Sequence, residues 1–427
     1  MGNILMTGSG GGGAGSDDCT ATAAELLKGY TGILKGSDDE PVQGILELTG
    51  NAQAAHVLNG ETFYSNDAKT KHTGNMTVNS LLSFSVAAYS GRRVIATWTN
   101  PNQAAGRPYS GVIIRYDTGG YPGASGGVPI YKGAGNNHSA GAASQAFLDL
   151  PNLNTRYFLS CTPYVTTSIG ELFGPTLNAE ITTGGSTSRT FTASGSFVVE
   201  GFTKMDVFLV GGGGGAGYAG GGSGYTATQY GIPITTGNNV SVVVGGGGGP
   251  ASNGGTSSIS VNGAVKASAA GGNGAPDSYG VAAGNGGSGG GGSSTGRVRG
   301  GNGGSDGGNG AFPKFPNGTG QGRTTRAWGN SVGALYAGGG AGGNNHYNNR
   351  NNEGDRVEYF NLGGTGGAGG GGNGGGWEGT NYGKAVYPTN GTPNTGGGGG
   401  GRYSSSDGWG SCNPAYGGSG IVIVNLY

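Results

Sequence analysis

The chain has 427 residues, of which 106 are Gly and 16 are Pro, more than twice the ordinary combined share of roughly 12%. This excludes a conventional enzyme fold over most of the length, and the low Pro content with no strict third-residue Gly period excludes collagen. Four Trp, 21 Tyr and 12 Phe argue against a solvated low-complexity chain, and 22 Lys and Arg against 22 Asp and Glu leave no electrostatic footprint for nucleic acid.

Composition divides the chain at about residues 80 and 186. Of the 106 glycines, 29 lie in residues 1–186 and the other 77 in the 241 that follow. The expected organisation is a set of small repeats over 1–80, a β-sandwich over 81–185 and a glycine-rich domain over 186–427.

Residues 1–7 run directly into the glycines at 10–13. That apolar stretch is too short for a signal peptide, and Met6 stands where a myristoylation signal needs Ser or Thr. Residues 16–80 hold a diverged repeat of roughly 30 residues. Ala23-Ala24-Glu25-Leu26-Leu27-Lys28-Gly29 is echoed by Ala54-Ala55-His56-Val57-Leu58-Asn59-Gly60, and Gly44-Ile45-Leu46 by Gly74-Asn75-Met76. Each copy reads as a short helical segment capped by Gly and followed by an extended piece. Units so small cannot bury a core alone, which predicts packing on partner chains in an attachment or trimerisation stalk; the competing reading is a flexible leader.

Between 81 and 183 the alternating runs 94–98, 112–116 and 157–161 read as strands separated by Gly and Pro turns. Trp98 is expected in the core. The stretch Leu150-Pro151-Asn152-Leu153-Asn154-Thr155-Arg156-Tyr157 resembles the tyrosine corner of fibronectin type III modules, which implies a sandwich of about 100 residues and no particular function.

Beyond 186, glycine runs at 211–215, 245–249, 289–292, 338–340, 369–372 and 396–401 alternate with short strands. Strands lead into Gly211, Gly245 and Gly271, and others resume after Gly224, Gly255 and Gly420. Three excursions, 211–224, 245–255 and 271–420, therefore leave one β base and return to it. Without Cβ atoms such segments can adopt the polyproline II helix, three residues per turn, and bond side by side through their backbones. Flexible linkers are the alternative, but linkers have no reason to keep this regular pairing with strands.

The insertions within 271–420 carry aromatic, amide and arginine side chains of the kind that adaptable binding loops use. Candidate receptor-binding residues are Phe312, Phe315, Arg326, Trp328, His346, Tyr347, Arg350, Trp377, Tyr382, Tyr403 and Trp409; packing over the glycine lattice is the competing role for each. No catalytic residue is assigned. About a third of positions being Gly, roughly eight chance GxGxxG matches are expected, so that motif carries nothing here. The histidines His56, His72, His138 and His346 are scattered, and Glu353, Asp355 and Glu358 could supply a carboxylate pair only in a loop that reads as solvated. Cys19, Cys161 and Cys412 are far apart, so free thiols, no metal and no cofactor are expected. No run of about 18 apolar residues occurs, and no membrane insertion is expected.

Thr7-Gly8-Ser9-Gly10-Gly11-Gly12-Gly13 with Asp17-Asp18, Ser37-Asp38-Asp39-Glu40-Pro41-Val42-Gln43-Gly44, and Val57-Leu58-Asn59-Gly60-Glu61-Thr62-Phe63 resemble the N-terminal repeats of phage and prophage tail-fibre proteins. Thr190-Phe191-Thr192-Ala193-Ser194-Gly195, the junction Val210-Gly211-Gly212-Gly213 and the close Gly417-Gly418-Ser419-Gly420-Ile421-Val422-Ile423 resemble the glycine-rich terminal domain of tail fibres and adhesins. The resemblance implies a virion protein, a homotrimer docked to a tail or baseplate protein through its N-terminus, which attaches the particle to a host-surface glycan or protein. A structural baseplate or fibre subunit and a surface-polysaccharide depolymerase are the alternatives. The resemblance transfers no individual binding residue, because the long insertions match no placed motif.

Overall fold

The computed structural model describes residues 15–167, 170–295, 299–345, 348–350, 356–358, 362–378, 384–404 and 412–427. Among these, helix is confined to three single 3-10 turns, Ser16–Asp18, Ala54–His56 and Ala327–Gly329. The protein is mainly β and built of several separate sheets. Its contacts form two compact units, one comprising residues up to 87, 95–148 and 156–181, the other 88–94, 149–155 and 182–427.

The first unit begins with two short hairpins, Thr31–Ile33 with Pro41–Gln43 and Thr62–Phe63 with His72–Thr73. Backbone bonds recur from copy to copy. Lys28 N–H donates to Leu46 C=O as Asn59 N–H does to Met76, and Ile45 N–H donates to Ala23 C=O as Asn75 N–H does to Ala54. The echoed glycines have a steric reason: a Cβ on Gly44 or Gly74 would lie 2.2 or 2.3 Å from the carbonyl oxygen of Leu26 or Leu58. The expected helical segment is corrected to turns at 23–25 and a single 3-10 turn at Ala54–His56. Ile45 and Leu46 take the carbonyls of Ala23 and Leu26, so those oxygens cannot serve a continuing helix. Ile45 and Tyr64 remain well exposed on these hairpins.

Strands β1 (Ser83–Ser90), β2 (Arg93–Thr99), β3 (Gly111–Asp117), β4 (Val128–Gly133), β5 (Ala143–Asp149), β6 (Arg156–Thr167), β7 (Gly170–Phe173) and β8 (Leu177–Thr182) follow. They form a three-stranded sheet in the order β1-β2-β5 and a larger one in the order β7-β6-β3-β4, with β8 also paired to β6. Alternation along β2 turns Ala96 and Trp98 inward, and both are fully buried. The Trp98 ring meets Tyr131 of the opposite sheet at 5.8 Å, and its Nε1–H donates to Asn100 Oδ1 at 3.0 Å. Tyr157 is buried edge-on to Tyr116 at 5.5 Å.

The glycine-rich region starts from two four-stranded sheets. One joins β9 (Thr187–Phe191), β16 (Ile421–Leu426), β11 (Lys204–Val210) and β12 (Thr226–Pro233); the other joins β10 (Gly195–Val198), β13 (Asn239–Val243), β14 (Ser257–Val261) and β15 (Ala264–Ala269). Met205, Val207, Leu209, Val422 and Val424 of the first meet Val240, Val242 and Ile259 of the second in one buried cluster. The three excursions leave from β11, β13 and β15 and return to β12, β14 and β16.

Those excursions form a polyglycine lattice. The N–H groups of Gly211 and Gly214 donate to Tyr225 and Gly222, those of Gly212 and Gly215 to Gly255 and Ser252, and those of Gly213 and Ala216 to Gly418 and Ala415. Carbonyls follow the same rule: Gly212 and Gly215 accept from Gly272 and Ala275, Gly213 and Ala216 from Gly248 and Ala251, and Gly214 and Gly217 from Gly399 and Arg402. Every third residue meets the same neighbour, which is the signature of three residues per turn, and 211–217 is bonded to six surrounding segments. Residues 338–343 repeat the pattern, donating in pairs to Gly369 and Gly372, to Gly304 and Gly301, and to Gly221 and Tyr218. Ala216 and Ala341 find room for a methyl group in it, but at most positions only glycine fits: a Cβ on Gly212, Gly213 or Gly340 would run into the carbonyl oxygen of Gly246, Gly397 or Gly399.

At the margins, where a neighbouring helix is missing, asparagine supplies the acceptor. Asn285, Asn302, Asn309 and Asn373 each accept a backbone N–H through Oδ1, from Thr319, Thr365, Gly320 and Gly366, at 2.8–2.9 Å. Asn373→Ala therefore leaves the Gly366 N–H without this partner and is expected to lower stability by about 1 kcal/mol, read as a fall in thermal midpoint with an unchanged circular dichroism spectrum at low temperature.

Candidate recognition surface

The lattice has two unlike ends. At the base end, Gly224 N–H bonds to Gly396 C=O and Gly420 N–H to Gly245 C=O, directly beside the strands. At the opposite end lie Gly217, Tyr218, Gly343, Gly375 and Arg402, linked by Gly343 N–H to Tyr218 C=O, Gly375 N–H to Gly401 C=O and Arg402 N–H to Gly217 C=O. Anything carried on the turns of this second end is held by backbone bonds to several helices.

Two aromatic groups occupy that end. In the first, Tyr279 stands edge-on to Tyr218 at 5.8 Å and to Phe315 at 4.9 Å. The Arg402 guanidinium lies 4.2 Å from the Tyr218 ring centroid, and its Nε is 2.8 Å from Asp277 Oδ1. Gly280, at φ +78°, turns the chain so that the Phe315 ring packs against it. Tyr279 remains 45% exposed. In the second group, Trp377, Tyr403 and Cys412 are buried together, with the Trp377 and Tyr403 rings 5.2 Å apart and Tyr387 packed on Tyr403.

Burial pushes the Tyr403 phenol up to about 12, with Cys412 and Tyr387 adding to the effect, and it also raises the Cys412 thiol. A phenol whose pKa is higher folded than unfolded holds its proton more tightly in the native state. Its contribution is complete below the unfolded value near 10 and is lost as pH rises toward 12. Unfolding midpoints should therefore fall between about pH 10 and 12, and Tyr403→Phe should flatten that fall. Thermal unfolding scans across this range provide the check.

The sequence-derived candidates distribute as follows. Phe315 belongs to the first aromatic group, and Phe312 beside it is 61% exposed. Trp377 and Tyr403 are enclosed, so they support the end of the bundle rather than face solvent. Arg326 and Trp328 are not at this end at all. Trp328, held at φ +62°, packs with Tyr336 on Phe208 of β11, and Tyr230 Oη–H of β12 donates to its carbonyl. It seals the outer face of the base, because Gln321 and Arg323 ahead of it both bond to Thr226 at the start of β12. Arg326 lies beside it, 3.8 Å from Asp306. Arg350 lies on the short strand Asn348–Arg350. His346, Tyr347, Tyr382 and Trp409 lie outside the described residues, as do Glu353 and Asp355; Glu358 ends the strand Arg356–Glu358. Sequence reading missed Tyr218, Tyr279, Asp277 and Arg402 as a group; the signal available was an aromatic residue at each of two turns that interrupt glycine segments.

The pattern of glycine excursions from a strand base matches a protein-family model, the glycine-rich domain, over residues 182–427. The chain belongs to this family. No curated protein matches it. The glycine-rich domain thus accounts for more than half of the chain and includes both aromatic groups. Among the described residues no set of three His, Cys, Asp or Glu could hold a metal, and no helix is long and apolar enough to cross a membrane.

Proposed function

We propose that the protein is a receptor-binding tail fibre of a tailed phage or phage-tail-like particle, with recognition at the end of the glycine lattice away from the strands. The observation that carries this reading is the asymmetry of the bundle: one end is committed to the β base, while the other presents Tyr218, Tyr279, Phe312, Phe315, Asp277 and Arg402 on turns anchored by backbone bonds. A rigid scaffold with aromatic and charged groups on its terminal turns suits attachment to a surface. The exposed apolar side chains of the N-terminal hairpins, including Ile45 and Tyr64, support the companion reading that these repeats associate in a homotrimer and dock to a tail or baseplate protein.

The test is binding of the labelled full chain to a panel of bacterial strains. Saturable binding to at least one strain, competed by unlabelled protein and reduced when Tyr279, Phe315 and Arg402 are jointly changed to Ala, is the expected result. Absence of binding to every strain, with the chain folded and incorporated into particles, would make it a structural fibre subunit instead.

A further inference from the structure

Tyr218, Tyr279 and Phe315 come from three different turns of the chain, yet they form a continuous aromatic run at one end of the lattice. Their role is not to close a core: the buried cluster that adjoins them in sequence consists of the small side chains of Ala219, Ala275 and Ala283. The contrast with Trp328 is direct. That ring covers the large apolar residues Phe208, Val210 and Ile421, whereas Tyr279 keeps nearly half of its surface in solvent. The polar groups beside the run are of both signs. The Asp277 side chain is 44% exposed and the Arg402 side chain 21%, which places a carboxylate acceptor and guanidinium donors next to aromatic surface. Phe312, three residues before Phe315 in the chain, is exposed as well.

We propose that this run is a pyranose-binding subsite: the C–H face of one sugar ring stacks on Tyr279, bounded by Phe315 and Tyr218, while the Asp277 and Arg402 pair exchanges hydrogen bonds with vicinal hydroxyls. A pyranose matches the chemistry because it combines an apolar face with a rim of hydroxyls that both donate and accept. A neutral sugar is favoured over an anionic one, since the Arg402 charge is already balanced by Asp277. Binding is confined to small displacements of side chains, because each participating turn is anchored by backbone bonds: Tyr218 through Gly343 N–H, the Asp277 and Tyr279 turn through Ala275 N–H to Gly215 C=O, Pro316 through Ala283 N–H and Arg402 through Gly217 C=O. This inference rests on the attachment reading for its biological setting and deepens it by naming the ligand class.

The experiment is saturation-transfer difference NMR on the full chain with methyl α-D-glucopyranoside, methyl β-D-galactopyranoside, methyl α-D-mannopyranoside and N-acetylglucosamine. The expected result is saturation of ring C–H protons in at least one of them. Affinity should fall about tenfold in Tyr279→Ala and in Phe315→Ala, be retained in Tyr279→Phe, and fall in Asp277→Asn. Thermal midpoints of the variants are measured in parallel; the Tyr279→Phe variant, which keeps the ring, guards against reading a folding defect as lost binding. No saturation with any of the four sugars, or equal saturation in the native chain and Tyr279→Ala, would overturn the subsite. Cell binding separates this from the broader reading: strain binding without sugar saturation overturns the subsite and leaves attachment standing, whereas Tyr279-dependent saturation without strain binding keeps the subsite and removes attachment.

Discussion

Gly340→Ala is expected to destabilise the glycine-rich domain by about 3–5 kcal/mol, combining the cost of overpacking with hydrogen bonds lost as helices separate. A Cβ on Gly340 would lie 1.9 Å from the Gly399 carbonyl oxygen and 2.6 Å from its carbon. Neither is the end of a flexible side chain, so the whole helix must move. Gly340 N–H donates to Gly221 and its carbonyl accepts from Gly291, and a displacement large enough to admit a methyl group weakens both bonds. Gly246→Ala is the matched control, since nothing lies within 4 Å of the site its Cβ would occupy. That change is expected to fall between neutral and about 1 kcal/mol stabilising, through reduced freedom of the unfolded chain. Calorimetric unfolding of both variants decides the matter: equal midpoints would mean that the lattice is looser than its hydrogen bonds imply.

Trp98→Ala is expected to cost the sandwich about 3–5 kcal/mol. The ring is fully buried, and Gly135 (φ +77°) approaches it so closely that a Cβ there would stand 2.7 Å from Cζ2. Removing the indole opens a cavity and also takes a donor from Asn100 Oδ1, which retains the Tyr109 hydroxyl at 2.9 Å. Trp98→Phe keeps most of the apolar volume and should cost clearly less than the Ala variant. Urea unfolding of the two variants, read by near-ultraviolet circular dichroism, gives the comparison.

The glycine lattice was legible because two independent signals coincide in the sequence. Val210 is followed by Gly211, and Gly420 by Ile421, so strand and glycine segment alternate with matching exits and returns. The fate of residues 321–337 was not legible. Chain order places them deep within the longest excursion, but Gln321 and Arg323 bond to Thr226 beside the base, which brings Trp328 to the strands rather than to the free end. An excursion of that length crosses the bundle more than once, and only the hydrogen bonds reveal which turns fall at which end. The same limitation hid the meeting of Tyr218, Tyr279 and Phe315: each sits in a separate turn, with no periodicity connecting them. Asn302 and Asn373 act as backbone surrogates at the lattice margin, a role that no spacing in the sequence signals. In the N-terminal repeats the spacing is readable, while the fate of the helical segment is not, because the N–H groups that take the Ala23 and Leu26 carbonyls, those of Ile45 and Leu46, come from the second half of the copy.

The near absence of apolar side chains inside the lattice has a thermodynamic consequence. Unfolding a conventional core exposes hydrocarbon and raises the heat capacity, whereas exposing peptide groups lowers it. Melting residues such as 211–217 or 338–343 exposes chiefly backbone N–H and C=O groups, so the lattice adds little to the heat-capacity increment that Met205, Val207 and their partners supply at the base. The stability curve of the domain should accordingly be broad and shallow in curvature, with little of the weakening that hydrophobic cores undergo on cooling.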